Sequence, residues 1–305
     1  MHLLYLGVLI GGVLLFVGGP DYYSSRVFKA MWDLGHVLFM FVFGIAVLGV
    51  LYRVQFIPKK ALPAYYACVI VGVAFSSEYR QRFVGRTFSL SDVLADALGG
   101  ALAWLFVYRR SLFFSGLIKR IWTTLALVLG IIVITPFSTI LYDEMIAKNQ
   151  FPLISGFENK TELSRWAGSS ELNRSTLKST EGLYSLGFLL SAEGYSGVAI
   201  RNSPSNWQAY RTLQFDVWSP LGGLPVSVRI HDRLHTDGDQ LYADRFNKHF
   251  GLKRGWNRVS ISLNEVQNAP KNRELNLSEV WGFGLFSYNL GTQEKLYLDQ
   301  LILIP

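Results

Sequence analysis

Hydrophobic positions run in unbroken blocks through the first part of the chain and alternate with polar ones through the second. Five blocks stand out, at 3–18, 32–52, 61–77, 90–108 and 121–137. Each is about 16 to 21 residues long, close to the ~20 that a helix needs to cross ~30 Å of hydrocarbon. Charge, proline and glycine collect between them, as in Arg53 to Pro63 with Pro58, Lys59 and Lys60, which reads as a turn between helices. This pattern predicts five transmembrane helices. The first block reads as a retained helix rather than a cleaved signal, because Met1 and His2 supply no basic leader and no small-x-small cleavage site follows.

After Pro136 the period changes to two, that of a strand with one buried face. Leu213, Phe215 and Val217 alternate with polar partners, as do Val226, Val228 and Ile230, then Val259, Ile261 and Leu263, then Leu296 and Leu298. Turn-forming clusters at 219–223, 236–239 and 253–255 separate the runs. Roughly eight short strands without a long amphipathic helix predict an antiparallel β-sandwich. The resulting division is a helical membrane bundle over 1–140, a linker over 141–156 and an all-β domain over 157–305.

Composition sharpens this division. The chain has 305 residues and a formal net charge of +7, with 50% hydrophobic and only 17% charged residues. Residues 1–140 hold 12 Lys and Arg against 5 Asp and Glu, and residues 141–305 hold 17 against 17, so the whole excess lies among the apolar blocks. Basic residues placed there anchor membrane helices, and nothing argues for a nucleic-acid partner. Seven Lys and Arg fall in loops on one side (Arg53, Lys59, Lys60, Arg109, Arg110, Lys119, Arg120) and five on the other (Arg26, Lys29, Arg80, Arg82, Arg86). That balance favours a cytoplasmic N-terminus, and five crossings then put the second half in the periplasm or at the cell exterior. The single cysteine, Cys68, excludes an internal disulfide framework and a cysteine zinc cluster. No P-loop, dinucleotide fingerprint, H-E-x-x-H or G-x-S-x-G occurs, and His231, Asp232 and His235 lack supporting metal ligands.

The helical part carries one polar constellation. Asp33 and His36 lie one turn apart near the outer end of the second helix, Glu78 ends the third, and Asp92 and Asp96 share a face at the start of the fourth. Arg80, Arg82 and Arg86 lie in the loop between. Ionisable groups at membrane depth face a bundle interior or a cavity, so the cluster reads either as a polar pocket able to hold a head group or run acid-base chemistry, or as an ion-pair scaffold. Gly99, Gly100 and Ala103 suit close helix packing. Taken in order, Asp33-Leu34-Gly35-His36, Glu78-Tyr79-Arg80-Gln81, Gly85-Arg86 and Ser91-Asp92-Val93-Leu94-Ala95-Asp96 with Gly99 resemble the VanZ-like family of small bacterial membrane proteins, over roughly residues 3–110. Leu34 stands where that family commonly has Lys, and Asp96 where it commonly has Asn. The resemblance implies a cell-envelope role, linked in some members to glycopeptide (teicoplanin) resistance, and transfers no catalytic residue; Asp33, His36, Glu78, Arg86, Asp92 and Asp96 remain candidates.

The second half resembles jelly-roll, galactose-binding-like carbohydrate-binding modules over about 157–304, through Phe157-Glu158, Leu213 to Trp218, Gly255-Trp256-Asn257-Arg258-Val259 and Leu296 to Leu301. If the aliphatic members of each strand fill the core, the opposite faces present Asp216, Trp218, Arg229, His231, Arg245, Asn247, Phe286 and Tyr288. Flat rings meet the C–H faces of sugars and charged or amide groups meet their hydroxyls, so these eight residues form a candidate glycan platform; ordinary surface or core packing is the competing reading. Such modules often hold a structural calcium, for which Glu158 and Asp299 occupy the matching terminal positions and Asp237-Gly238-Asp239 is a competing loop. The combined expectation is an envelope membrane protein whose sandwich binds a glycan or glycolipid and whose bundle holds a polar pocket at the outer leaflet. The alternative is a membrane enzyme acting on a lipid-linked envelope precursor through the His/Glu/Asp cluster.

Overall fold

The computed structural model describes the chain apart from residues 1–7, 9, 14–18, 22–23, 54–56, 82–89, 109–114 and 202. The chain divides into two compact units, Met1–Leu141 and Tyr142–Pro305.

The first unit contains helices α1 (Arg26–Leu51), α2 (Leu62–Gln81), α3 (Leu90–Tyr108) and most of α4 (Gly116–Gln150). They fall on four of the five apolar blocks; most of the first block lies outside the described residues. Ser25 caps α1, its hydroxyl accepting from the Phe28 amide at 3.2 Å. Among the described residues three helices, α1, α3 and α4, are long and apolar enough to cross a membrane. At 20 residues α2 has the length, but its tyrosines, serines and Glu78 make it less apolar. Leucines and isoleucines such as Leu38, Leu94, Ile121, Leu127 and Ile131 stand exposed, which suits a lipid-facing surface and no aqueous one. This is a membrane protein.

Glycines set how closely α1 and α3 approach. A Cβ at Gly99 would lie 2.9 Å from the Met40 Cβ and 3.1 Å from the Phe41 nitrogen, and one at Gly100 would run into the Ile70 side chain. Tyr66 on α2 donates to the Gly100 carbonyl at 2.7 Å. Small residues thus bring backbones together where lipid gives no hydrophobic drive to do so.

Helix α4 differs from the sequence expectation, which ended it at Phe137. It continues through Pro136 to Gln150, a length of about 52 Å at 1.5 Å per residue and well beyond a bilayer core. Proline removes one amide and disfavours its own turn, but such breaks are tolerated in membrane helices when side chains such as Ser and Thr engage freed carbonyls. Thr135 and Thr139, on either side of Pro136, donate to the neighbouring carbonyls of Ile131 and Thr135 at 2.6 and 2.8 Å, not to the Ile132 carbonyl that Pro136 frees.

The second unit is an antiparallel β-sandwich with eleven strands among the described residues. One sheet runs β3 (Asn173–Ser175), β4 (Ser185–Leu190), β11 (Glu294–Ile304), β6 (Thr212–Ser219), β9 (Gly255–Ser262), with β1 (Leu153–Ser155) also on β11. The other runs β2 (Trp166–Gly168), β5 (Tyr195–Ile200), β10 (Val280–Tyr288), β7 (Leu224–Asp232), β8 (Phe246–Leu252). Short helices α5 (Arg233–Asp237) and α6 (Leu263–Gln267) follow β7 and β9. The alternating aliphatics point inward as expected: Leu213, Phe215, Val217, Val228, Ile230 and Ile261 are fully buried. Phe157, Trp166, Phe283 and Phe215 form a chain of ring contacts at 5.5, 6.3 and 5.4 Å, joining the sheets through the core. Asn257 pins the β8–β9 turn, accepting from the Lys253 amide at 2.8 Å and donating to the Lys253 and Gly255 carbonyls, while Gly255 takes φ +91°, which glycine alone adopts without strain.

Residues 141–156, read from sequence as a linker, are ordered structure: α4 to Gln150, then β1 paired with β11. Asp143, on the last turns of α4, lies within the second unit and forms a fully buried ion pair with Arg165. The Arg165 Nε and Nη2 donate to the two Asp143 carboxylate oxygens at 2.9 and 3.0 Å, and Nη1 to the Ile154 carbonyl at 3.1 Å.

Candidate functional site

The outer face of the β2-β5-β10-β7-β8 sheet carries a groove of about 710 Å³. Strand register explains its shape. Ala167, Ala199, Gly284, Arg229 and Asn247 pair in sequence across five strands and form one transverse row. Three of the five end at Cβ or earlier, so the floor is low there. The adjacent row holds Gly197, Phe286, Ser227 and His249, and beyond it Tyr195 pairs with Tyr288.

Each end of the groove has its own chemistry. The Tyr195 ring packs against Phe286 and Tyr288 at 5.8 and 4.5 Å, and Tyr195 and Tyr288 are 73% and 57% exposed, an open apolar platform. At the other end Arg229 and Arg245 lie half-buried, the Arg245 Nε donating to the Asn247 Oδ1 at 3.2 Å and its guanidinium 5.5 Å from the Tyr242 ring centre. The His249 Nδ1 meets the Ser227 hydroxyl at 2.6 Å. Burial lowers the Arg229 pKa, and the neighbouring Arg245 charge lowers it further.

The structure brings together five of the eight sequence candidates: Arg229, Arg245, Asn247, Phe286 and Tyr288. It separates the other three. Asp216 and Trp218 belong to β6 in the opposite sheet; Asp216 is buried against Arg258, which donates to both its oxygens at 2.9 and 3.0 Å, and the Trp218 ring packs on Tyr297 at 5.6 Å with the Lys178 ammonium 4.9 Å away. Alternation fixes which side of a strand faces out, not which sheet the strand joins. His231 shares the outer side of β7 but does not line the groove: its ring packs 5.2 Å from His235 and its Nδ1 is buried without a hydrogen-bond partner among the described residues. Burial, with the Arg229 charge next, pushes its pKa down to about 3, which keeps it neutral. Sequence reasoning missed Tyr195, at the first position of a short strand, and Tyr242, in a short 3-10 turn outside any alternating run.

Beside the groove, Arg273 clamps two carboxylates, donating to Asp232 at 2.5 and 2.8 Å and to Asp244 at 2.6 and 2.9 Å. Hydrogen bonds from Arg273 hold the Asp244 pKa below the usual carboxylate range.

Calcium takes six to eight oxygen ligands, and both Glu158 and Asp299 accept hydrogen bonds from the loop before β4. The Glu158 Oε1 accepts from the Leu183 and Tyr184 amides, both at 2.9 Å, and the Asp299 Oδ2 from the Thr180 amide and hydroxyl at 2.7 and 3.0 Å. Their oxygens hold the loop before β4 in place. Among the described residues no group of three or more His, Cys, Asp or Glu side chains could hold a metal ion.

In the helical unit the His36 Nδ1 and Asp96 Oδ1 lie 3.1 Å apart, both side chains about 4% exposed. Glu78 is fully buried, and Glu78 and Asp92 both act electrostatically on His36; Asp33, exposed, is coupled to Asp92 and His36. The His36 Nε2 and Trp32 Nε1 are buried without a hydrogen-bond partner among the described residues. Arg86 and the rest of the arginine loop, apart from Arg80, lie outside the described residues. A buried histidine-carboxylate pair with a second ring nitrogen uncommitted can shuttle a proton or bind a polar group.

The VanZ/LLP1 family model matches residues 13–115. No curated protein matches the chain. Among solved structures, the family 11 carbohydrate-binding module from Clostridium thermocellum, in complex with a beta-1,3-1,4-mixed-linked tetrasaccharide, is 11% identical, covers 50% of this chain and 94% of its own, and has a TM-score of 0.38. The family 11 module of the cellulosomal cellulase Lic26A-Cel5E of the same organism is 13% identical with coverages of 50% and 92% and a TM-score of 0.39. The family 30 module of its cellulase Cel9D-Cel44B is 14% identical with coverages of 46% and 90% and a TM-score of 0.35. The chain thus joins a VanZ-like helical segment to an antiparallel β-sandwich, the latter established by its own strand pairing.

Proposed function

We propose that this is a bacterial cell-envelope protein of the inner membrane whose sandwich lies outside the cytoplasm and binds a glycan or glycolipid, while its VanZ-like bundle keeps a polar pocket at the outer leaflet. The groove carries this reading. Exposed aromatic rings beside hydrogen-bonding side chains on a low floor match what a saccharide needs: a flat surface for its C–H faces and donors for its hydroxyls. Calorimetry and a glycan array with the full-length protein in detergent test it. Binding of an envelope glycan that is lost in Tyr195→Ala and Phe286→Ala supports the reading; binding unaffected by either change refutes the groove as its site. Protease added to intact spheroplasts should remove the sandwich, and full protection would overturn its outward placement.

A second reading is favoured by the buried His36–Asp96 pair: an enzyme acting on a lipid-linked envelope precursor. His36→Gln and Asp96→Asn keep size and hydrogen bonding but abolish proton transfer. An envelope phenotype unchanged in both folded, inserted variants excludes catalysis by the pair.

A further inference from the structure

We infer that the groove selects glycans bearing an anionic group, a carboxylate or a phosphate, and that Arg229 and Arg245 receive it. The inference rests on the glycan reading above and adds the ligand's charge.

The other buried and half-buried arginines of this sandwich each have acceptors. Arg165 is matched by Asp143, Arg273 by Asp232 and Asp244, and even the largely exposed Arg258 by Asp216. Arg174 donates to the Phe157 and Glu158 carbonyls, both at 2.7 Å. Arg229 and Arg245, also half-buried, are less compensated, Arg245 reaching the neutral Asn247 Oδ1. Neither has a carboxylate within ion-pair distance among the described residues, and the Arg229 Nε is buried with no hydrogen-bond partner there. The groove is lined by these two and Arg201, and by no Asp or Glu, although residues 141–305 are neutral at 17 basic against 17 acidic.

Two half-buried guanidiniums lining one groove, near enough for the Arg245 charge to act on Arg229, repel each other and have lost water, and both stay charged because arginine does not deprotonate in proteins. An oxyanion placed between them relieves the repulsion and restores charge-assisted hydrogen bonds in the planar geometry that arginine offers. Room for it exists: a Cβ at Gly284 would already stand 4.0 Å from the Arg229 Nε, and glycine leaves that space open. A free inorganic anion would need the arginines but not the ring platform of Tyr195 and Phe286. A neutral sugar would need the platform but not two uncompensated charges. A charged sugar uses both.

The test is calorimetry on the full-length protein in detergent with matched pairs: oligouronides and their carboxyl-reduced counterparts, and phosphorylated oligosaccharides and their dephosphorylated counterparts. The charged member should bind roughly ten- to a hundredfold more tightly. Arg229→Gln and, independently, the more accessible Arg245→Gln should each remove most of that advantage, so that the charged and neutral members of a pair bind nearly alike, with near-ultraviolet circular dichroism confirming the fold. Tyr195→Ala should weaken both members alike. Which pair shows the effect tells carboxylate from phosphate. Equal binding of charged and neutral members overturns anion selection and leaves glycan binding standing. No binding in any pair by the folded protein overturns both.

Discussion

Removing the Asp143 carboxylate tests how the sandwich is closed at its α4 edge. In Asp143→Ala the Arg165 guanidinium, 1% exposed, keeps only carbonyl partners and becomes a buried, uncompensated charge. Breaking such a pair from one side costs about 3–5 kcal/mol, a large share of the ~5–15 kcal/mol that holds a domain folded. At ~2–4 °C per kcal/mol for a domain of this size, the unfolding midpoint should fall by about 6–20 °C. Thermal melts of the full-length protein, followed through the near-ultraviolet signal of the buried Trp166 and Trp207, read this directly. The double change Asp143→Met with Arg165→Met removes both charges and should recover most of the loss, since apolar replacements of buried pairs are often neutral or stabilising. A midpoint within about 2 °C of the parent in Asp143→Ala would refute the reasoning. Fragments beginning at Phe151 or Phe157 carry the same lesion and should melt lower than one that includes Asp143.

Three further outcomes follow. His231 has a folded pKa near 3, below the ~6.5 of free imidazole, so between those values the unfolded chain binds a proton that the folded chain refuses. Stability should therefore fall as pH drops below about 6.5, by up to about 1.4 kcal/mol per pH unit, and His231→Asn should flatten that limb of a urea-midpoint profile; an unchanged slope would refute the assignment. Gly99→Val should force α1 and α3 apart and lower the yield of folded protein in detergent, since even a Cβ there meets Met40 and Phe41; size-exclusion profiles identical to the parent would count against that packing. Because Glu158 and Asp299 are committed to loop amides, a chelator should leave the melting midpoint of the sandwich unchanged, and a drop reversed by calcium would show that those carboxylates serve a metal after all.

The sequence made some of this legible and hid the rest for definable reasons. Alternation in 212–218, 226–231 and 259–263 places Leu213, Phe215, Val217, Val228, Ile230 and Ile261 in the core, as found, because burial on one face imposes period two whatever the strand pairs with, although Asp216 on the other side is itself buried. Sheet membership was hidden, because β6 joins β11 and β9 through contacts distant in sequence. That is why Asp216 and Trp218 were grouped with Arg229, which faces outward from the other sheet. Strands β1, β2 and β3 have three residues each, too few for any period to register. Helix α4 outruns its apolar block because the residues after Phe137 turn polar while staying helical, so the length of an apolar block does not mark where a helix ends. In the bundle, residues one turn apart on a helix share a face, so Asp33 with His36 and Asp92 with Asp96 read as one polar cluster, within which His36 meets Asp96.

The transverse row Ala167, Ala199, Gly284, Arg229, Asn247 also sets a spacing. Neighbouring strands lie about 4.8 Å apart, close to the advance of one pyranose ring along an extended saccharide. A chain laid across the strands would therefore meet a new strand at nearly every ring, with the sheet acting as a ruler. Along the strands each ring would instead meet side chains of one strand only. Crosswise, the first rings would cross bare Ala and Gly backbone, and a charge on the fourth would fall on β7 at Arg229. The register of five β-strands would then set the position of a substituent along a polymer.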